Sequence, residues 1–464
     1  MTVHLIGICG TAMATLAAML QDRGHTVQGS DQHVYPPMSE FLAARGITCH
    51  DGFDEQRITE AIDLVVIGNA VSRGNAEVEA TLDRKLRYRS LPEMVRETFL
   101  WDRRSLVVAG THGKTTTTSL LAWVLTAGGR DPSFLVGGVT GNFGSSYRLG
   151  EGPEFVIEGD EYDSAFFDKT AKFLKYVPDV VVLGNLEFDH ADIYSDVDAI
   201  RQAMRRLVAL LPRQGRFVVG ADDPEAAALA DAAPCPVRSF GIGPDADWRA
   251  ADIAAGVEAT RFDVMYRGER EARVTLPLVG EFNVRNALAA FAVARHVGLD
   301  AAAVADALSR FKGVRRRLEV RGVERGVTVY DDFAHHPTAV RETLAGLRAA
   351  FPDRRIWALF EPRSATACRR VFQDAFGEAF DRADEVIVGR VFRASLPESE
   401  RLSEVELVET IRARGGRARH LPDVDAITSA VAAEARGDDL VVVMSNGAFD
   451  GIHDKLLSRL AETG

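Results

Sequence analysis

Ser105-Leu106-Val107-Val108-Ala109 runs into Gly110-Thr111-His112-Gly113-Lys114-Thr115-Thr116, an apolar run followed by a glycine turn and a helix-period stretch. Gly110 and Gly113 permit tight turns, so backbone N–H groups can point at phosphate oxygens. A helix opening at Lys114 aims its positive dipole end at the same place. Lys114 can neutralise β- and γ-phosphate charge, and the Thr115 hydroxyl can coordinate Mg²⁺. The full phosphate-loop pattern has glycine at position 108, where this chain has Val108, so the motif is a shortened variant. Alone it suits a kinase, a nucleotide hydrolase or a ligase equally.

Two further apolar runs end in acids. Phe155-Val156-Ile157 leads to Glu158-Gly159-Asp160-Glu161, and Val182-Leu183-Gly184 leads to Asn185-Leu186-Glu187-Phe188-Asp189-His190. Mg²⁺ takes hard oxygen ligands and often uses one or two carboxylates beside phosphates. Acids after strands are also ordinary helix caps. Two such clusters following one phosphate loop favour metal ligation. His335-His336 could form half of a zinc site, but the sequence offers no evident third ligand.

The elements that must hold these residues repeat one pattern, a short β-rich run, a turn and a helical stretch. Val3–Gly7, Leu64–Gly68, Ser105–Gly110, Val180–Asn185, Arg216–Gly220, Val327–Asp331, Arg355–Phe360, Glu385–Val388 and Asp439–Met444 carry the strand signal. Apolar strands alternating with helices predict an α/β protein with parallel sheets covered on both faces. Ligands then sit at the carboxyl ends of the strands. At 464 residues the chain calls for about three domains. Polar breaks near Trp101–Arg104 and Arg315–Gly322 place them at 1–103, 104–322 and 323–464. The first is Rossmann-like, the second a P-loop ATPase-type domain and the third Rossmann-like again.

Gly7-Ile8-Cys9-Gly10-Thr11-Ala12 resembles a dinucleotide fingerprint, with Cys9 and Ala12 at two of the glycine positions. Asp31 follows about where an acid meets a ribose. The net charge of −12 argues against a nucleic-acid surface. Cys9, Cys49, Cys235 and Cys368 are far apart in sequence, which fits a reduced, cytoplasmic protein. No signal peptide or run of membrane-spanning length is evident, so no membrane insertion is expected. Oligomeric state is not legible.

Taken together, Gly110–Thr115, Glu158–Glu161, Asn185–His190, Gly280-Glu281-Phe282-Asn283-Val284-Arg285-Asn286 and Tyr330-Asp331-Asp332-Phe333-Ala334-His335-His336-Pro337 resemble, in order and over essentially the whole chain, the motifs of the Mur ligase family. The resemblance implies an ADP-forming ligase that uses ATP and Mg²⁺ to join a carboxylate to an amine through an acyl phosphate. It implies that Gly110, Thr111, His112, Gly113, Lys114, Thr115 and Thr116 bind ATP, with Asn283 and Asn286 at adenine, Arg317 at the phosphates and Asp332 at the ribose. Lys114, Glu158 and His190 become the catalytic set, and Thr115, Glu158 and His190 the metal ligands. Gly10, Thr11, Asp31 and Ser72 are assigned to the UDP part of UDP-N-acetylmuramate. Taken alone, Asn283 and Asn286 would suit a helix cap, and Arg315–Arg317 a solvated linker. Phe282 departs from the histidine common in relatives. No lysine lies between His190 and Arg213, so no carbamylated lysine is expected there.

Three features resemble members that add the murein tripeptide L-Ala-γ-D-Glu-meso-diaminopimelate more than members that add L-alanine. They are Gly7–Thr11, an apparent insertion at Phe166–Lys172, and the pair Glu361-Pro362-Arg363-Ser364 and Met444–His453. Arg363 is the candidate contact for a peptide carboxylate. Outside this class, the first domain alone would suit an NAD-dependent dehydrogenase, and the phosphate loop alone a nucleotide-gated binding module.

Overall fold

A computed structural model describes residues 1–393 and 396–462. The first sheet comprises β1 (Thr2–Ile6), β2 (Thr26–Asp31), β3 (Thr48–Asp51), β4 (Leu64–Ile67) and β5 (Tyr88–Ser90). All pair in parallel, in the order β3-β2-β1-β4-β5. The order reverses between β1 and β4, which opens a crevice at their carboxyl ends. The Gly7–Gly10 turn sits there and feeds the helix Thr11–Asp22, whose residues Met13–Leu20 are buried.

The second sheet has ten strands. Its middle consists of β6 (Arg104–Ala109), β9 (Glu154–Glu158) and β12 (Val180–Leu183). β6 is parallel to both neighbours, with Val108 opposite Glu158 and Ala109 opposite Leu183. That register brings the turns after all three strands to one rim, so motifs about 75 residues apart meet. Ser105–Ala109 and Val180–Leu183 are wholly buried, as strands covered on both faces require. On one side follow β7 (Ser133–Leu135) and β8 (Tyr147–Arg148); on the other follow β13 (Arg216–Gly220) and β14 (Val237–Gly241). An antiparallel meander, β15 (Trp248–Ala254), β16 (Thr260–Tyr266) and β17 (Glu269–Leu276), extends that edge.

The Phe166–Lys172 stretch belongs to a small separate hairpin of β10 (Asp163–Ala165) and β11 (Asp168–Ala171). Its turn carries Phe166 and Phe167 to the first domain, where Phe167 meets Tyr88 edge-on at 5.0 Å. The hairpin thus ties the first sheet to the second.

The third sheet comprises β18 (Glu319–Glu324), β19 (Val327–Asp332), β20 (Ile356–Phe360), β21 (Glu385–Val388), β22 (Arg417–His420) and β23 (Leu440–Met444), in the order β18-β19-β23-β20-β21-β22. Within it the edge strand β18 is antiparallel and the others are parallel. Asp439, just before β23, accepts from both Nε (3.0 Å) and Nη2 (2.6 Å) of Arg355 and from Trp357 Nε1 (2.9 Å). Burial opposes its ionisation, but these donors hold the carboxyl below the usual range. Asp439→Ala should therefore cost about 2–3 kcal/mol at pH 7, because it leaves a buried indole N–H and a guanidinium unpaired. A lowered pKa stabilises above the unfolded value, and that contribution fades as pH falls through the folded one. Urea denaturation at pH 7 and pH 3 should show the penalty shrinking in acid; equal penalties would assign it to packing alone.

The third domain lies against the second. His336 Nε2 donates to Phe188 O at 3.1 Å, Ala191 N to Thr366 Oγ1 at 3.2 Å, and Arg285 pairs with Glu342. The connection passes through Arg316 and Leu318, both left-handed with φ of +59° and +51°. These two bends aim the intervening Arg317 inward, contrary to a solvated linker.

Candidate active site

The three domains surround a cavity of about 410 Å³. Its floor is the phosphate loop. Gly113 has φ +80°, and a Cβ there would collide with Asn286 Oδ1. Glycine is required at this position for both reasons. Lys114 Nζ turns back onto the loop, donating to Gly110 O (2.7 Å) and Thr111 O (3.2 Å), and it pairs with Glu161 Oε1 at 2.8 Å. The following helix, Lys114–Ala127, buries Thr115–Ala122. Thr118 and Ser119 satisfy their hydroxyls on the carbonyls of Lys114 and Thr115.

The acids form one wall. Glu158 Oε1 accepts from Thr115 Oγ1 at 3.0 Å and Oε2 from Gly137 N at 2.7 Å. Burial pushes its carboxyl up, despite Lys114 and Arg317 nearby. Glu161 accepts from His190 Nε2 at 2.7 Å as well as from Lys114. Burial is opposed by those two cations, so its carboxyl stays low. Its other oxygen, Oε2, is buried without a hydrogen-bond partner among the described residues. His190 is burial-destabilised as a cation, but Glu161 raises it above the ordinary histidine value. Its backbone φ is +55°, a conformation costing about 1–3 kcal/mol that typically persists where function demands it. Asp160 pairs with Lys172 at 2.6 Å.

The opposite wall comes from the helix Glu281–His296 and from the third domain. Gly280 occupies the N-cap position of that helix, so Asn283 and Asn286 are not its caps. Asn286 Nδ2 donates to Asn283 Oδ1 (3.2 Å), and Thr117 Oγ1 donates to Asn286 Oδ1 (3.1 Å). From the connection to the third domain, Arg317 Nη2 reaches Thr115 Oγ1 at 3.1 Å. Asp332 faces the same cavity, but its carboxylate is engaged locally, accepting from Leu318 N (2.7 Å) and Ala334 N (2.8 Å).

Among the expected residues, Thr111–Thr116, Glu158, His190, Asn283, Asn286, Arg317 and Asp332 line this one cavity, and Gly110 lies beneath it through its carbonyl. Thr11 reaches it from the first domain. Gly10, Asp31, Ser72 and Arg363 stand outside its lining. Asp31 Oδ2 instead accepts from Cys9 N at 2.8 Å, bracing the Gly7–Gly10 turn, and Ser72 is exposed. Arg363 stacks over Phe392, 3.7 Å from the ring centroid. Glu161, Asp189, Lys172, His335 and His336 line the cavity without having been placed among the expected site residues, although all lie inside stretches singled out from the sequence.

A phosphate loop facing buried carboxylates, roofed by a third domain, defines a nucleotide-using enzyme built to enclose its reactants. Models of the Mur ligase family match along the chain: the Mur ligase family catalytic domain at residues 2–100, the Mur ligase middle domain at 108–294 and the Mur ligase glutamate ligase domain at 316–447. A relative from Escherichia coli K12, named UDP-N-acetylmuramate–L-alanyl-γ-D-glutamyl-meso-2,6-diaminoheptandioate ligase, is 44% identical over 100% of this chain and 99% of its own. A UDP-N-acetylmuramate–L-alanine ligase from Roseiflexus sp. RS-1 is 38% identical over 97% of each chain. The crystal structure of a murein peptide ligase from Psychrobacter arcticus 273-4 superposes with a TM-score of 0.74 at 38% identity, covering 99% of both chains. The chain belongs to the Mur ligase family, whose members are ATP-dependent ligases.

Proposed function

We propose that this chain joins the tripeptide L-Ala-γ-D-Glu-meso-diaminopimelate to UDP-N-acetylmuramate at the expense of ATP, in the recycling of peptidoglycan. The observation that carries this reading is end-to-end similarity to a relative named for that reaction, on a chain that keeps a complete phosphate-loop site. The L-alanine-adding reading rests on the 38% relative and is the alternative to be tested. Among the described residues no helix is long and apolar enough to cross a membrane. We place the reaction in the cytoplasm, where ATP and sugar nucleotides are found.

The domains divide the work. Residues 1–103 hold the UDP-sugar through Gly10, Thr11, Asp31 and Ser72. Residues 104–322 hold ATP, and residues 323–464 close over it and present the peptide, with Arg363 as a candidate carboxylate contact. A carboxylate is a poor electrophile until one oxygen becomes a leaving group. A lactyl oxygen of the sugar nucleotide therefore attacks the γ-phosphorus, ADP leaves, and an acyl phosphate forms. The tripeptide's α-amine then attacks the acyl carbon; phosphate leaves, an amide forms and a proton is released. Lys114 and Arg317 stabilise the transferring phosphoryl group, and Asn283 and Asn286 orient the base. The third domain excludes water, which would otherwise hydrolyse the acyl phosphate.

The donor set fits Mg²⁺. Thr115 Oγ1 and Glu158 offer hard oxygens, and Glu161 Oε2 is a buried acceptor left without a partner among the described residues. Thr115 and Glu158 would hold a first ion and His190 would help hold a second, together supplying positive charge beside the phosphates. His190→Ala should raise the Mg²⁺ needed for half-maximal rate by about 10-fold and lower turnover. An unchanged Mg²⁺ titration would make His190 only a partner of Glu161.

Activation is tested by positional isotope exchange in ATP with the sugar nucleotide present and the amine absent. Exchange should appear, reporting reversible acyl phosphate formation. If turnover in the complete mixture moves no oxygen from substrate carboxylate to phosphate, the mechanism is wrong.

A further inference from the structure

A second group of converging donors lies in the seam between the central and third domains. His112, from the phosphate loop, places Nε2 3.1 Å from Glu187 Oε2. His336, from the turn after β19, places Nδ1 3.3 Å from the same oxygen. The three ligand atoms lie within 4.8 Å of one another. Zinc bonds to nitrogen and oxygen are about 2.0–2.1 Å, so a tetrahedral site has ligand–ligand edges of about 3.3–3.4 Å. Two of the three separations are already close to that edge.

The hydrogen bonding at His336 fixes which nitrogen is free. Nε2 stands 3.1 Å from the Phe188 carbonyl oxygen, which can only accept, so Nε2 carries the proton and donates. A carbonyl acceptor behind the ring is the usual support for a metal-binding imidazole. Nδ1 is then left with a lone pair. Among the described residues its donor is the Thr338 N–H, at a long 3.3 Å. Burial and the neighbouring His112 push His336 down to about 4, so the ring is neutral at pH 7. Glu187 is low, at about 2: burial opposes ionisation there, but the proton that His112 Nε2 shares with it outweighs burial, and a bound cation would displace that proton and take its place. A lone pair thus faces a carboxylate oxygen at 3.3 Å. The Thr338 N–H meets Nδ1 and its side chain also bonds Glu187, which still leaves the two electron-rich atoms facing each other directly; a cation between them would bridge that contact.

We propose that His112, Glu187 and His336 form a binding site for one borderline divalent cation, for which Zn²⁺ is the best fit. The fourth position opens toward the cavity that His112 and His336 both line, leaving room for a water. Two imidazoles and a carboxylate suit zinc, cobalt or nickel better than magnesium, whereas the oxygen set at Thr115 and Glu158 suits magnesium. His112 and Glu187 belong to the central domain and His336 to the third, so the ion fastens the third domain over the phosphate loop. Sequence alone offered His335-His336 without a third ligand; the seam supplies two, from 149 and 224 positions earlier in the chain. The site is independent of which amine the enzyme uses.

Titration of the metal-free, full-length protein with Co²⁺ tests the proposal, because tetrahedral Co²⁺ absorbs visible light strongly and octahedral Co²⁺ weakly. The wild type should develop tetrahedral-type absorption that saturates at one equivalent and is displaced by Zn²⁺. Glu158→Gln, which disables the oxygen-rich site, should retain that absorption. Glu187→Gln and His336→Gln, one in each domain and each checked for folding by circular dichroism, should weaken binding by at least about 100-fold, since they remove a direct ligand rather than its support. Zn²⁺ should raise the melting temperature of the wild type and not that of a folded ligand variant. Full absorption in either ligand variant, its loss in Glu158→Gln, or no tetrahedral absorption in the wild type would overturn the proposal.

Discussion

Replacing Lys114 by methionine should lower kcat by about 10³-fold, the largest loss expected from any single substitution here. Its ammonium is the cation held by the loop itself, with two loop carbonyls and Glu161 as partners. Phosphoryl transfer leaves the protein little to do beyond positioning and charge stabilisation, so removing that charge removes much of the catalysis. The same change carries a stability cost. Lys114 and Glu161 are 13% and 3% exposed in their side chains, and methionine would leave Glu161 ionised with only His190 beside it. Breaking such a pair costs about 3 kcal/mol, whereas neutralising both partners is close to neutral. Adding Glu161→Gln to Lys114→Met should therefore restore most of the stability and none of the activity. Urea denaturation and single-turnover ADP formation separate the two effects. If the double variant regained turnover, Lys114 would be a structural cation rather than a catalytic one.

Asp332→Ala should lower kcat/KM for ATP by about 10²-fold while the chain still folds. Asp332 caps Leu318 and Ala334, on either side of the path that delivers Arg317 into the cavity. Without it the buried Ala334 N–H loses its acceptor, at about 1–3 kcal/mol, the half-buried Leu318 N–H loses its own, and Arg317 loses a neighbouring counter-charge. The left-handed turns at Arg316 and Leu318 are then free to relax, and the third domain loosens over the phosphate loop. Saturating ATP should recover part of the rate, because the loss lies in positioning rather than in chemistry. Small-angle scattering should show nucleotide plus UDP-sugar compacting the wild type more than the variant. Full activity at limiting ATP, with equal radii of gyration, would contradict this role.

The site's floor was legible because its residues are consecutive. Ser105 to Thr116 declare a strand, a turn and a helix start within one window, Glu158 ends a strand of the same kind, and His190 lies in the loop after another. The alternation of β-rich and helical runs likewise revealed the parallel strands at the centre of the three large sheets. The meander β15–β17 was not read. Its strands are half solvated and rich in arginine and glutamate, as Glu269-Arg270-Glu271-Ala272-Arg273 shows, so they lack the apolar run that marks buried parallel strands. Arg317 suited a solvated linker because nothing local reveals the two left-handed bends that turn it inward. Asp31 sits where a ribose contact is expected, and its Oδ2 also accepts from the Cys9 amide, a bracing use that no spacing rule reveals. Glu161 lay inside a recognised motif without a role, since its partners Lys114 and His190 are 47 and 29 residues away. In each case the missing information was tertiary.

The most direct test of the proposed reaction is phosphate release from ATP and UDP-N-acetylmuramate with either the tripeptide L-Ala-γ-D-Glu-meso-diaminopimelate or L-alanine as the amine. Both expose an L-alanyl α-amine, so the chemistry is the same and only recognition of the remaining peptide differs. Phosphate release should require all three reactants, with kcat/KM for the tripeptide at least about 100-fold above that for L-alanine, since a site built around several carboxylates leaves its polar groups unpaired when they are missing. Equal or better use of L-alanine would contradict the tripeptide reading and make the chain an alanine-adding ligase.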